Sequence, residues 1–473
     1  MTTGITTYTV EALTALKEAP ANGSYLQIQD KPLLIESVLR FLPGKRLVAK
    51  AILDNQVVLA KCFLGESAKR HMQREQNGLE SFTAAGIATP AIYNTLQAQN
   101  CCLLTTEFLD ASQSLDDLWQ QELADEQRLS LLKQAVKTLA TLHKHNTVHN
   151  DPHLDNFLMK DGALYLIDGG GTKKESHPLS SATALDNLGF FLSVLFPRFD
   201  HLSVQCLQEY QQIFPLGNIS EENLDAAIIK RRKWRERYLE KIFRSCTDFV
   251  AESKFNKFQV TNRTEIRPAL TEFMADPEPL INAGKVLKRG STNTVSIVTL
   301  NDQTQVFVKR YKSTKGLLHW FLRGFRQSRA RNGWYTAHYL LRLLGIDTPK
   351  PIALMEYKVG PFVTCSYLVT AFVEAEDALH YFNELKTITP EATTRSKLLK
   401  DTLKVLKDAL FFHGDMKATN FLFANGRPLV IDLDQSMVLS PGNTAEKLLK
   451  KDEARFARNW PAGSVAKQLF SKC

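Results

Sequence analysis

Residues 149–168 read HNDPHLDNFLMKDGALYLID, and residues 413–432 read HGDMKATNFLFANGRPLVID. Both are His-x-Asp-x4-Asn, a short apolar run, a turn, and a second apolar run ending in Ile-Asp. Asp151 to Asn156 and Asp415 to Asn420 are each five residues apart, and Asp151 to Asp168 and Asp415 to Asp432 are each seventeen. A polar constellation repeated at the same intervals is an internal duplication.

Phosphoryl transfer needs those residue types at that spacing. Moving a γ-phosphoryl group takes a carboxylate to orient or deprotonate the attacking hydroxyl, and oxygen ligands to hold Mg²⁺ against the phosphates. The first Asp (Asp151, Asp415) fits the base. The Asn (Asn156, Asn420) and the closing Asp (Asp168, Asp432) fit the metal ligands. The apolar runs around Lys160-Asp161-Gly162 predict a hairpin that delivers both ligands to one cleft.

At these residues the chain resembles the protein-kinase fold, with His-Asn-Asp and His-Gly-Asp in place of His-Arg-Asp, and Asp-Gly-Gly and Asp-Leu-Asp in place of Asp-Phe-Gly. Within that fold it is similar to the bacterial lipopolysaccharide kinase family, which phosphorylates Kdo or heptose sugars of the inner core. HGDMKATNFLF and LVIDLDQS carry most of the likeness, which covers residues 280–440 well and 30–200 more loosely. The resemblance implies an α+β chain of two tandem protein-kinase-like bilobal domains, each a β-rich N-lobe and a helical C-lobe, using ATP and Mg²⁺.

Length and composition agree with two such units. The chain has 473 residues, 44% hydrophobic and 23% charged, as in a folded globular protein. MTTGITTYTVEALTALKEAP has no basic stretch followed by an apolar one, and no run of about eighteen apolar residues occurs. A cytoplasmic location is therefore expected. The seven cysteines, Cys101, Cys102 and Cys473 among them, form no CxxC pair and read as reduced, with no zinc site. Residues 1–250 carry 26 Lys+Arg against 29 Asp+Glu, and the remainder 33 against 21, so the second half is the basic one.

In chain order, VVLAKCFL places Lys61 mid-strand among apolar neighbours, where the kinase fold has the lysine that pairs with the α- and β-phosphates. A lysine on a solvated strand face would read the same way. The next segment has helical spacing, and Glu75 sits where the fold supplies an acid for that lysine, with Glu66 and Glu80 as competitors. Thr106-Glu107-Phe108-Leu109 follows a strand and resembles the interlobe hinge, so Glu107 and Leu109 are candidates for contacting adenine. Helix 126–145 delivers the chain to His149, which is expected to brace the loop; Asp186 is expected to do so from a later helix. Residues 228–247 are strongly basic and helical. The polar residues 251–265 are the linker candidate, giving domains of 1–255 and 266–473.

In the second unit VLKRGSTNTVSIVTL places Gly290, Ser291 and Thr292 between two strands as a phosphate-covering loop, glycine allowing close approach and N–H groups and hydroxyls bonding phosphate oxygens. QVFVKRY then puts Lys309 where Lys61 sits. Between Lys309 and Arg331 stand eight Lys+Arg and no acid, interleaved with Leu317, Leu318, Trp320, Phe321, Leu322 and Phe325. Such a segment suits a peripheral contact with the anionic inner-membrane surface, or a phosphorylated acceptor. No nucleic-acid recognition module accompanies it, and no nucleic-acid partner is expected. The helix Ala330 to Leu344 contains no acid. Aligning Gly86 with Gly345 sets Trp334 opposite Glu75, so either another acid fills in or the second unit is impaired.

The resemblance implies an ATP-dependent phosphotransferase acting on sugar hydroxyls of the lipopolysaccharide core glycolipid or its precursor. The alternatives are a nucleotide-binding pseudokinase scaffold in one or both domains, or a protein or small-molecule kinase.

Overall fold

The computed structural model describes residues 6–312 and 327–470. The chain divides into two compact units, residues 1–195 with 199–231, and residues 196–198 with 232–473. The boundary expected at 251–265 is thus corrected. Phe249–Lys254 and Lys257–Asn262 are paired strands of the second unit's main sheet. Their polar side chains read as a linker because this hairpin lies at the edge of the sheet, where one strand face stays in water.

Each unit has a seven-stranded sheet. In the first, the order in space is Thr7–Tyr8, Ser24–Ile28, Lys31–Leu42, Arg46–Leu53, Gln56–Leu64, Cys101–Glu107, Ile92–Ala98. In the second it is Phe249–Lys254, Lys257–Asn262, Pro351–Val359, Phe362–Ala371, Gln305–Lys312, Asn293–Thr299, Lys285–Arg289. The last five strands of the first list and the last five of the second, taken in reverse, have the same connectivity. The two extra strands are added at opposite edges of this shared core.

Alternation explains the strands. In Arg46–Leu53 the residues Leu47, Ala49, Ala51 and Leu53 are buried while Arg46, Val48, Lys50 and Ile52 are partly exposed. Lys61 pairs with Val48 on one side and Leu104 on the other, and Lys309 with Val295 and Leu368. The two lysines therefore occupy the same place in the shared core.

Helices with apolar stripes follow each sheet in the chain. Asp125–Lys144 buries Leu132, Val136, Leu139 and Leu142 and ends at the strand that leads to His149. In the second unit Pro390–Asp408 precedes Phe411–Phe412 in the same way, and Phe382, Phe421, Phe456 and Trp460 share its core. Among the described residues no helix is long and apolar enough to cross a membrane.

Candidate functional site

Both repeated stretches fold alike. Phe157–Lys160 pairs antiparallel with Ala163–Leu166, and Phe421–Ala424 with Arg427–Val430. The two-residue turns Asp161-Gly162 and Asn425-Gly426 have φ of 50° and 78°, and 49° and 75°, as the tight hairpin turn with two left-handed residues requires. The carbonyls of Asn156 and Asn420 each accept the N–H of the Ile before the closing Asp, at 2.9 Å in both units. One backbone bond thus sets the two candidate ligands side by side.

Asn156 Nδ2 donates to the Asp151 carbonyl at 2.7 Å, and Asn420 Nδ2 to the Asp415 carbonyl at 2.8 Å. The amide is oriented by its nitrogen, which leaves Oδ1 for another partner. Asp168 and Asp432 have left-handed backbones, with φ of 62° in both. That conformation is uncommon for a non-glycine residue and is a form of strain that gathers at functional sites. His149 Nε2 is 3.1 Å from the Asp168 carbonyl while its Nδ1 accepts the Asp151 N–H. His413 does the same with the Ile431 carbonyl and the Asp415 N–H. Burial lowers the pKa of both rings, which keeps them neutral in this bracing role.

The support behind the loops differs from expectation. Asp186 pairs with Lys230 and Arg231 and does not reach the loop. Its neighbour Asn187 does, donating to the His149 carbonyl at 2.9 Å and meeting His143 Nε2. One residue along a helix turns a side chain by about 100°, so an acid beside an amide in the sequence reveals neither as the brace. In the second unit buried Asp452 accepts the N–H groups of His413 at 2.6 Å and Gly414 at 3.3 Å.

In the first unit Lys61 is ion-paired with Glu75, whose side chain is 1% exposed, and lies 3.9 Å from Asp168. Glu75, carried by the helix Ala68–Ala84, is thereby distinguished from its competitors: Glu80 bonds Gln76 and Glu66 lies on the cleft wall. Burial pushes the Glu75 carboxyl up and Lys61 draws it back. At Asp168 burial is outweighed by Lys61, the Glu75 hydrogen bond, His149 and Arg46, and the carboxyl is held below its usual range. Gly78 lets the helix touch the loop, since a Cβ there would stand 2.0 Å from the Gly169 carbonyl oxygen.

A cleft of about 660 Å³ gathers Glu75, Asp151 and Asp168 with Gly44, Lys45 and Arg46. These last residues close the hairpin over the cleft. The signal for them was Pro43-Gly44 followed by two bases. Lys61, Asn156, Glu107 and Leu109 do not line this cleft. Glu107 ends its strand with its N–H given to Ala91, and the Leu109 carbonyl accepts from Ser112.

In the second unit Lys309, Asp415, Asn420 and Asp432 line a cleft of about 520 Å³, with Asp434, Lys417, and Ala371 to Val373 where the first unit has Glu107 to Leu109. Gly290, Ser291 and Thr292 form the turn between two strands at the surface, but the Gly290 N–H bonds the Asn293 carbonyl at 2.8 Å. That donor is spent on the turn itself, and Asn293 and Lys288 line the cleft.

The helix Arg329–Tyr339 continues into a π-helical turn, Leu340–Leu344. Such a turn holds one more residue than an α-helical one, so counting eleven residues back from Gly345 stops one short. The position of Glu75 is taken by Gly333, not Trp334. Trp334 is fully buried and donates to the Ile242 carbonyl at 3.2 Å. Lys309 instead pairs with Asp432 Oδ1 at 2.5 Å.

A basic residue stands two places after each candidate base, and the spacing could have flagged it. His153 Nε2 is 2.8 Å from Asp151 Oδ1, and Lys417 is 2.5 Å from Asp415 Oδ2. Asp151 is held below its usual pKa by His153. Of the eight bases from Lys309 to Arg331, five are ion-paired: Lys309, Arg310, Lys312, Arg329 and Arg331, with Asp432, Glu278, Glu278, Asp434 and Glu356. Lys315, Arg323, Arg326 and the apolar residues Leu317 to Phe325 lie outside the described residues. The acids that pair with these described bases come from distant positions of the chain.

Among the described residues no three His, Cys, Asp or Glu cluster to hold a metal alone. Each candidate set is one carboxylate and one amide oxygen, hard donors suited to Mg²⁺ with phosphate oxygens completing the shell.

The chain is similar to two family models. Residues 63–176 match the lipopolysaccharide kinase (Kdo/WaaP) family, and residues 337–461 match the RIO domain. The lipopolysaccharide-kinase match thus lies in the first unit, where the motif likeness was looser, and the second unit matches another kinase-like family. No curated protein matches the chain. The two matches and the repeated architecture make this a chain of two tandem protein-kinase-like domains of mixed α+β structure.

Proposed function

We propose that the first unit transfers the γ-phosphoryl group of ATP to a sugar hydroxyl, Kdo or heptose, of the lipopolysaccharide inner core or its precursor. The observation that carries the reading is that residues 63–176, matched by the lipopolysaccharide kinase family, contain Glu75, Asp151 and Asp168 on one cleft, with Asn156 hydrogen-bonded to the Asp151 carbonyl behind it. Lys61 makes its close ion pair with Glu75 and stands 3.9 Å from Asp168, so Asp168 is charged and keeps room for a cation.

In this reading Lys61 presents its ammonium to the α- and β-phosphates, and Gly44 to Arg46 cover them. Mg²⁺, when bound by Asn156 Oδ1 and Asp168, neutralises phosphate charge. Asp151 Oδ1 is engaged by His153, so Oδ2 faces the acceptor. The hydroxyl oxygen forms the new P–O bond, the bond to the β-phosphate oxygen breaks, ADP leaves, and the hydroxyl proton passes to Asp151. The depressed pKa of Asp151 makes it chiefly an orienting group that accepts the proton late.

A second reading applies to the second unit. Lys309 on Asp432, with glycine in the place of the helix acid, suits a nucleotide-binding partner that does not itself transfer phosphate. A peripheral contact with the inner membrane remains part of the proposal through the acceptor, which is a glycolipid.

The test is phosphate transfer from ATP·Mg²⁺ to dephosphorylated lipopolysaccharide core, comparing the intact chain with Asp151→Asn and Asp415→Asn. Loss with Asp151→Asn alone is expected. Full transfer by Asp151→Asn, or none by the intact protein while nucleotide binds, would refute the assignment.

A further inference from the structure

The two units distribute one acid and one glycine in opposite ways. In the first, Glu75 on the helix faces Gly170, two residues after Asp168. The Gly170 N–H donates to Glu75 Oε2 at 3.0 Å, and a Cβ on Gly170 would stand 2.8 Å from that oxygen. In the second, Gly333 on the helix faces Asp434, two residues after Asp432, and a Cβ on Gly333 would lie 3.9 Å from the Cβ of Asp434. The carboxylate thus enters the same region from the loop instead of the helix.

Asp434 is built into the second cleft. Its side chain is 2% exposed, and Oδ2 pairs with Arg329. Oδ1 is buried and meets no donor in hydrogen-bonding geometry among the described residues; the Tyr311 hydroxyl and the Asp432 carboxyl lie beside the carboxylate, and Lys309 lines the same cleft. An unpartnered buried carboxylate oxygen is costly unless a cation reaches it. Meanwhile Lys309 rests on Asp432, the residue that corresponds to Asp168.

We propose that Asp434 is the positioning acid for Lys309 in the second unit: when Asp432 is committed to a nucleotide-bound cation, Lys309 pairs with Asp434 Oδ1 and presents its ammonium to the phosphates. The second cleft is then a nucleotide site despite lacking a helix acid. This rests on the kinase reading of the fold, and on the second unit as a nucleotide binder.

The experiment uses the full chain and an acyl-phosphate derivative of ATP, which acylates a lysine beside the phosphates. Peptide mass mapping scores Lys61 and Lys309 separately, with ATP·Mg²⁺ as competitor. Wild type is expected to give ATP-protected labelling at both lysines. Asp434→Asn is expected to lower labelling at Lys309 roughly tenfold or more, the scale of losing a buried charged partner, and to leave Lys61 unchanged. Arg329→Met, which removes the other partner of Asp434, should keep most Lys309 labelling, separating positioning from a merely structural ion pair. The double variant Gly333→Glu with Asp434→Gly should restore part of it.

Lys309 labelling in Asp434→Asn equal to wild type would overturn the proposal. An equal loss in Arg329→Met would do so as well. Labelling confined to Lys61 in wild type would overturn it while sparing the first unit's assignment, whereas labelling at neither lysine would overturn both.

Discussion

Replacing Glu75 by Gln removes one negative charge from the first unit and little else. The amide keeps an oxygen to accept the Gly170 N–H, now at 3.0 Å, and keeps the volume of a side chain that is 1% exposed. Lys61, 12% exposed, is left without its main partner. Removing one member of a buried ion pair costs roughly 3–5 kcal/mol. Part of that is recovered because Asp168, already 3.9 Å away, accepts the ammonium. The variant should therefore adopt in the first unit the pairing that Lys309 and Asp432 show in the second. ATP·Mg²⁺ must then break that pair before Asp168 can hold a cation, which at about 2 kcal/mol weakens binding roughly 30-fold. The assay is ATP competition against acyl-phosphate labelling of Lys61, with steady-state transfer to separate KM from kcat. An affinity within about twofold of wild type would refute the idea that Glu75 keeps Asp168 free.

Gly78→Ala should be far more damaging than Gly86→Ala. The first places a Cβ 2.0 Å from the Gly169 carbonyl oxygen, backbone against backbone, and should cost roughly 3 kcal/mol or more with loss of Lys61 labelling. The second has nothing within 4 Å among the described residues and a φ of 72°, and should cost only about 1 kcal/mol by thermal melting. Asp452→Ala strips the acceptor from the His413 and Gly414 N–H groups, a loss of roughly 2–3 kcal/mol. Hydrogen exchange at those two amides should rise while the amides of residues 149–151 stay protected. Burial lowers His143 to about 4 and His338 to about 3. Each takes up a proton near pH 6.5 when unfolded but not when folded, so stability is complete above that pH and falls as pH drops toward 4 for His143 and toward 3 for His338, by roughly 3 and 5 kcal/mol respectively. Melting against pH should show this slope, and His338→Phe, among Phe249 and Trp334, should flatten the second unit's share.

The duplication, the two kinase-like units and the residue types of the candidate site were legible in the linear chain. Asp151, Asn156 and Asp168, like Asp415, Asn420 and Asp432, are bound to one another by a hairpin whose length is written in the sequence, so linear spacing fixes their geometry. Lys61 and Lys309 stood out because a lone charge inside an apolar strand is costly and is seldom kept without a partner. What depends on distant partners, or on one residue of register, emerged only on folding. The polar hairpin at 251–262 belongs to a sheet whose neighbouring strand begins at Pro351. The helix acid of the first unit is answered in the second not by Trp334 but by Gly333, because a π-helical turn inserts a residue that no composition announces. The charge that looked free along 309–331 is met by carboxylates at 278, 356, 432 and 434. Local intervals survive folding unchanged, whereas helical phase and charge compensation are set by what packs against them.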